Sequence, residues 1–137
     1  MSRCQQVLVL DADQLSTLAV VRSLGRSGCA VTAAAASPHA IAFQSRYASR
    51  HLIYPDPLQQ HGAFLEWLTN TLSNHSIDLV IPVTDRGIVP ILTRRNALEA
   101  LSPIAIAPNP VMEQVVSKCR MHSLAREAGL DVPESWI

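Results

Sequence analysis

The sequence predicts a doubly wound α/β sandwich, with a mainly parallel sheet of about five strands and helices on both faces. Three observations carry this. Val7-Leu8-Val9-Leu10 is an unbroken aliphatic run. A strand apolar on both faces is a central strand of a parallel sheet, covered above and below. The stretch 14–27 that follows fits the return helix of a βαβ unit. Further strand-then-helix patterns succeed one another through short connections, as parallel neighbours require.

The first strand stops at Asp11-Ala12-Asp13. Asp13 is the expected N-cap of the first helix, its carboxylate accepting from the free amides of the first turn. Leu15, Leu18, Ala19, Val21 and Leu24 form the expected buried stripe, with Gln14, Thr17 and Arg22 on the polar side. Gly25 and Gly28 supply a C-terminal stop. The stretch 30–36 reads as a second strand in spite of its alanines, because it lies between a helix stop and Ser37-Pro38. Residues 40–43 form a short helical turn, and 51–54 a third strand closed by Pro55-Asp56-Pro57. The stretch 60–72 is an amphipathic helix with Phe64, Leu65, Leu68 and Leu72 on one face. A fourth strand, 78–83, ends at Thr84-Asp85-Arg86. A helix over 87–98 has Pro90 near its start, and a fifth strand spans 103–107. Asn109-Pro110 caps a short helix over 111–117. A last helix, 119–128, stops at Gly129. Residues 132–137 look like the beginning of another strand cut short, and the expectation is that the chain is a fragment of a longer protein.

The length of 137 residues suits one domain with a proper core, and 48% of the residues are hydrophobic. A formal net charge of zero argues against a broad electrostatic footprint for nucleic acid or an anionic membrane. Cys4, Cys29 and Cys119 are widely spaced, with no Cys-x-x-Cys, and read as reduced thiols of a cytoplasmic protein. The amino-terminal apolar run is too short for a signal peptide. No run approaches the ~20 residues of a membrane span.

Open parallel sheets bind ligands at the carboxyl ends of their strands. Asp11, Asp13, Thr84, Asp85 and Arg86 are therefore the candidate substrate-binding residues. Helix capping is the competing role for Asp13 and Asp85. The turn after the first strand lacks the closely spaced glycines of a dinucleotide site, and its carboxylates would repel phosphate. No Walker A loop is present. A phospho-acceptor receiver needs acids after strand one, an Asp after strand three, a hydroxyl after strand four and a Lys after strand five. Asp11, Asp13, Asp56, Thr84 and Lys118 occur in that order, but Asp56 lies between two prolines and Lys118 falls beyond a helical stretch. Cys119 and His122 share a helix face without the further ligands of a tetrahedral metal site. His39, His51, His61 and His75 are scattered, and Ser16 and Ser37 lack a nucleophile-elbow context.

Ser117-Lys118, then Leu124-Ala125, then Ala128-Gly129-Leu130-Asp131-Val132-Pro133 resembles the junction in ATP-grasp enzymes where the first domain passes into the ATP-binding domains. Ser117 stands where that family usually has Asp. Upstream, Val7 to Asp13, Arg22-Ser23-Leu24-Gly25, Ser45-Arg46-Tyr47 and Asp78 to Asp85 resemble, in order and spacing, the N-terminal, pre-ATP-grasp domain of carbamoyl-phosphate-synthase-like and carboxylate–amine ligases. The resemblance implies a Rossmann-like three-layer α/β/α domain over residues 1–117, without nucleotide fingerprints. Residues 118–137 would begin the connection into an ATP-grasp domain. It implies an ATP-dependent ligase as the parent protein, working through an acyl phosphate with ATP and Mg²⁺, whose ligands lie mostly downstream. Lys118 would contact the nucleotide phosphates. Arg46 is read as an anchor of the loop before the third strand, with substrate contact as the alternative. The implied partners are the downstream domains and a small carboxylate or amine substrate. The chain alone would be inactive and would expose an apolar face, with homodimer formation through it as an expectation. The alternative is a stand-alone flavodoxin-like binding module or a receiver-type signalling module.

Overall fold

The computed structural model describes residues 5–134. They fall into two compact units, Met1–Ile106 and Ala107–Ile137.

The first unit holds one sheet. Its strands are β1 (Gln6–Val9), β2 (Ala30–Ala35), β3 (Ala48–Ile53) and β4 (Leu79–Ile81), in the spatial order β3-β2-β1-β4 and parallel throughout. From β1 the chain steps outward through β2 to β3, then returns to the far side of β1. The order therefore reverses between β1 and β4, as in Rossmann-like sheets. Its helices are α1 (Leu15–Arg26), α2 (His61–Asn74), α3 (Asp85–Thr93) and α4 (Arg95–Glu99), with a 3-10 turn at Ile41–Gln44.

Successive residues of a strand point to opposite faces, so an all-apolar strand feeds two cores. Leu8 and Leu10 pack with Phe64, Leu65 and Leu68 of α2 and Ile91 of α3. Val7 and Val9 pack with Val21 of α1 and with Val31, Ala33 and Ala35 of β2. All four residues of the run are buried, and each such side chain contributes roughly 1.5–3 kcal/mol of burial. The result is three layers: α1 on one face, the sheet, and α2 with α3 on the other.

Several expectations need correction. The sheet has four strands, not five. Residues 103–107 make only one parallel bridge, Ile104 to Val80, with Val80 N–H donating to Pro103 O at 2.9 Å and Ala105 N–H to Val80 O at 2.8 Å. Pro103 has no N–H to extend the ladder, and Ile106 N–H turns back onto Ile104 O. β3 starts at Ala48, ahead of His51. On α1 the buried residues are Thr17 and Val21, while Leu15 is 72% exposed. Thr17 tolerates burial because its hydroxyl donates to Leu10 O at 3.5 Å. Gln14, not Asp13, occupies the N-cap position, and no side chain caps the helix. Thr84 holds that position for α3, again without a side-chain cap, and Asp85 is the first helical residue. The helix expected over 87–98 is two helices broken at Arg94. Pro90 lies inside α3, where it removes the amide that would bond to Arg86 O and so weakens the helix.

The second unit contains α5 (Asn109–Val115) and α6 (Lys118–Glu127). Ser117 caps α6, its hydroxyl oxygen accepting from Arg120 N–H at 3.4 Å. Gly129, at φ 76°, ends it, with Leu130 N–H donating to Ala125 O. Residues 131–134 form no regular strand. The rest of the strand expected over 132–137 lies outside the described residues, as does Cys4. Among the described residues, no helix is long and apolar enough to cross a membrane.

Candidate functional site

The carboxyl edge of the sheet is organised by Asp11. β1 runs out at Val9, and Asp11 turns the chain toward α1 with a positive φ of 60°. Aspartate and asparagine enter that region more readily than other non-glycine residues. The turn aims the carboxylate across the crevice between β1 and β4, where the strand order reverses. Oδ2 accepts from Thr84 N–H at 2.8 Å and from Val83 N–H at 3.2 Å. Oδ1 accepts from the Tyr54 hydroxyl at 3.2 Å, and Tyr54 Oη in turn accepts from Asp11 N–H at 3.0 Å. Asp11 is 2% exposed. One carboxylate thus ties together the ends of β1, β3 and β4. Gly87 lies close by: a Cβ there would sit 3.2 Å from Asp11 Oδ2. Burial, with the Asp11 charge beside it, holds the Tyr54 hydroxyl well above the ordinary tyrosine pKa.

Outside this brace lies a second cluster. Arg86, the second residue of α3, spans two carboxylates, Asp13 Oδ2 at 3.3 Å and Asp56 Oδ1 at 3.5 Å. All three side chains are about one-third exposed, so each pair is worth roughly 0.2–1 kcal/mol. Asp56 Oδ1 also accepts from Leu58 N–H at 2.9 Å, which fixes the loop after β3. Two buried atoms have no hydrogen-bond partner among the described residues, Thr84 Oγ1 and Arg86 Nε. Such atoms are uncommon in folded proteins and mark unused polar capacity. Beside them, Pro57, Leu58, His61, Asp85, Val89 and Pro90 line a cleft of about 380 Å³ with Arg86. Leu58 is 71% exposed at its rim, and Leu15 is exposed at the start of α1.

The structure therefore brings Asp11, Asp13, Thr84, Asp85 and Arg86 to one edge, and adds Tyr54 and Asp56. Tyr54 reads in sequence only as the last residue of an apolar strand. Asp56 stands out only in the receiver pattern. Among the described residues the arrangement sets Asp13, Asp56 and Asp85 beside the guanidinium of Arg86, so the local charge is negative. It does not fit Mg²⁺. The guanidinium already occupies the space between the two nearest carboxylates, and no three His, Cys, Asp or Glu residues converge on a metal position among the described residues. The receiver reading meets a different obstacle. Receivers have the strand order 2-1-3-4-5, with strand three beside strand one. Here β2 separates β3 from β1. Lys118 is the exposed first residue of α6, in the second compact unit.

A scan of family models finds no match to this chain, and no curated protein matches its sequence. Among solved structures, the chain is similar to an L-amino acid ligase from Bacillus licheniformis, with a TM-score of 0.68 and 18% identity. The similarity covers 97% of this chain and 32% of that one. This chain therefore spans about a third of the length of the ligase it matches. At that identity the likeness is one of fold.

Proposed function

We propose that this chain is the substrate-side domain of an ATP-dependent carboxylate–amine ligase, and that its carboxyl edge receives the amine substrate. The supporting observation is the joint occurrence of two features: fold similarity to an amino acid ligase over nearly the full chain, and an edge rich in carboxylate. Asp13 and Asp85 supply negative charge for the ammonium. Thr84 Oγ1 and Arg86 Nε supply hydrogen-bonding capacity that the fold leaves unused. Asp11 is a positioning residue, because its carboxylate holds the Thr84 amide and thereby the start of α3. ATP and Mg²⁺ belong to domains outside this chain, with Lys118 as the nearest phosphate contact by resemblance. The exposed Leu15 and Leu58 suit a face that those domains cover.

The test uses the product of the uninterrupted reading frame that contains this chain, assayed for amine- and ATP-dependent phosphate release. Asp85→Asn is expected to raise KM for the amine about tenfold, equivalent to about 1.4 kcal/mol of binding, with KM for ATP unchanged. An unchanged amine KM in both Asp85→Asn and Asp13→Asn would remove this edge from the substrate site.

A further inference from the structure

We propose that the opposite, amino edge of the sheet carries a second ligand site, for a small polyphosphate anion, built from three arginines around Tyr47. Helix α1 starts at the carboxyl edge and runs back to the amino edge, so its second half delivers Arg22 and Arg26 beside the segment that enters β3. There Arg22, Arg26, Gln44, Ser45, Arg46 and Tyr47 line a cleft of about 360 Å³. The platform is Tyr47. Its ring lies against α1 at Gly25, where a Cβ would come within 2.5 Å of Tyr47 Cβ and 2.7 Å of Cδ1. Only glycine lets the ring sit there. Arg46 lies over the ring with Cζ 4.9 Å from its centroid, and its Nη2 donates to Tyr47 Oη at 2.8 Å. Arg26 Cζ lies 6.0 Å from the same centroid. These guanidiniums hold the Tyr47 hydroxyl below its ordinary pKa, Arg46 foremost through its hydrogen bond.

What marks a site is the convergence of three guanidiniums on one cleft without a carboxylate among its lining residues. Arg22, Arg26 and Arg46 form no ion pair among the described residues. The chain has 11 basic and 11 acidic residues, so this cluster is not an outcrop of a generally basic surface. Arg22 and Arg26 are also four apart on one helix, a spacing at which like charges repel. A multiply charged oxyanion relieves that repulsion, and its oxygens match the guanidinium forks. The Tyr47 hydroxyl accepts from Arg46 and keeps its proton free to donate to the ligand. A single carboxylate carries one charge against three cations. Pyrophosphate carries enough, and three charges around one small cleft suit a compact anion better than an extended polymer. This site stands independently of the ligase reading, because it uses none of the residues of the carboxyl edge.

Calorimetric titration of the 137-residue chain with inorganic pyrophosphate at low salt tests the proposal. Saturable one-to-one binding is expected. The double variant Arg22→Gln/Arg26→Gln, and separately Arg46→Gln, should weaken it at least about tenfold, and Arg126→Gln, on the exposed face of α6, should leave it unchanged. Arg22, Arg26 and Arg46 are exposed, and circular dichroism verifies that each variant keeps the wild-type fold. Three results would overturn the proposal: no binding in the millimolar range, equal binding by wild type and the double variant, or tighter binding of a single-stranded DNA oligonucleotide than of pyrophosphate.

Discussion

Asp11 gives its carboxylate to three strand ends at once, so changing it separates charge from backbone geometry. Asp11→Ala leaves the Val83 and Thr84 amides without their acceptor and puts a residue with a Cβ but no local hydrogen bond at positive φ. The expected loss is about 3 kcal/mol or more by urea denaturation. Asp11→Asn keeps the left-handed preference and one carbonyl acceptor, and should lose about 1–2 kcal/mol. Equal losses would show that the carboxylate does not brace the edge. Tyr54 adds a pH signature. Its folded pKa is raised, so its contribution is intact below the ordinary tyrosine value of about 10. Above that value the unfolded chain ionises first, and stability should fall by up to about 1.4 kcal/mol per pH unit. Tyr54→Phe should flatten this decline. Tyr47 has a lowered pKa and contributes the opposite sign, so both proteins are compared with Tyr47 present. The sequence shows Asp11 and Thr84 as residues at strand ends. It does not show that they bond to each other, because they lie 73 residues apart and only the strand order brings them together.

Gly25 and Tyr47 show how an element can depend on a contact that its own sequence hides. By helix propensity, Gly25→Ala should stabilise α1 by up to about 1 kcal/mol. The overlap with Tyr47 reverses the sign, and a net loss of about 1–3 kcal/mol is expected. In a Tyr47→Ala background the same substitution should become neutral or stabilising. A loss of the same size in both backgrounds would contradict the packing account. In sequence, Gly25 reads as a helix stop, yet α1 continues through Arg26. The buried face of α1 is also misread from hydropathy alone, since Thr17 goes inside by bonding Leu10 O while Leu15 stays out. β1 and α2 are legible because their apolar patterns have no competing explanation. The fifth strand is not, because Pro103 supplies the right hydropathy and the wrong hydrogen-bonding capacity.

Both hydrophobic clusters lie within residues 7–106, inside the first compact unit. A chain ended after Ile106 is therefore expected to keep one cooperative urea transition. A broad, non-cooperative transition would show that the second unit completes the core. Among the described residues the two edges of the sheet have opposite character, three carboxylates to one guanidinium at Arg86 and three guanidiniums without an ion pair at Tyr47. A net charge of zero conceals that polarity, because composition carries no positions. The fold class was legible from the unbroken first strand. The candidate edge was legible only as a place, and the Asp13–Arg86–Asp56 bridge emerges only in the structure. The deciding measurement is phosphate release from ATP in the presence of amines and carboxylates, comparing the product of the uninterrupted reading frame with the 137-residue chain. Amine-dependent release by the former and none by the latter is the expected result. Ligation by the 137-residue chain alone, or release by the longer product that ignores the amine, would contradict a substrate-side domain of a ligase.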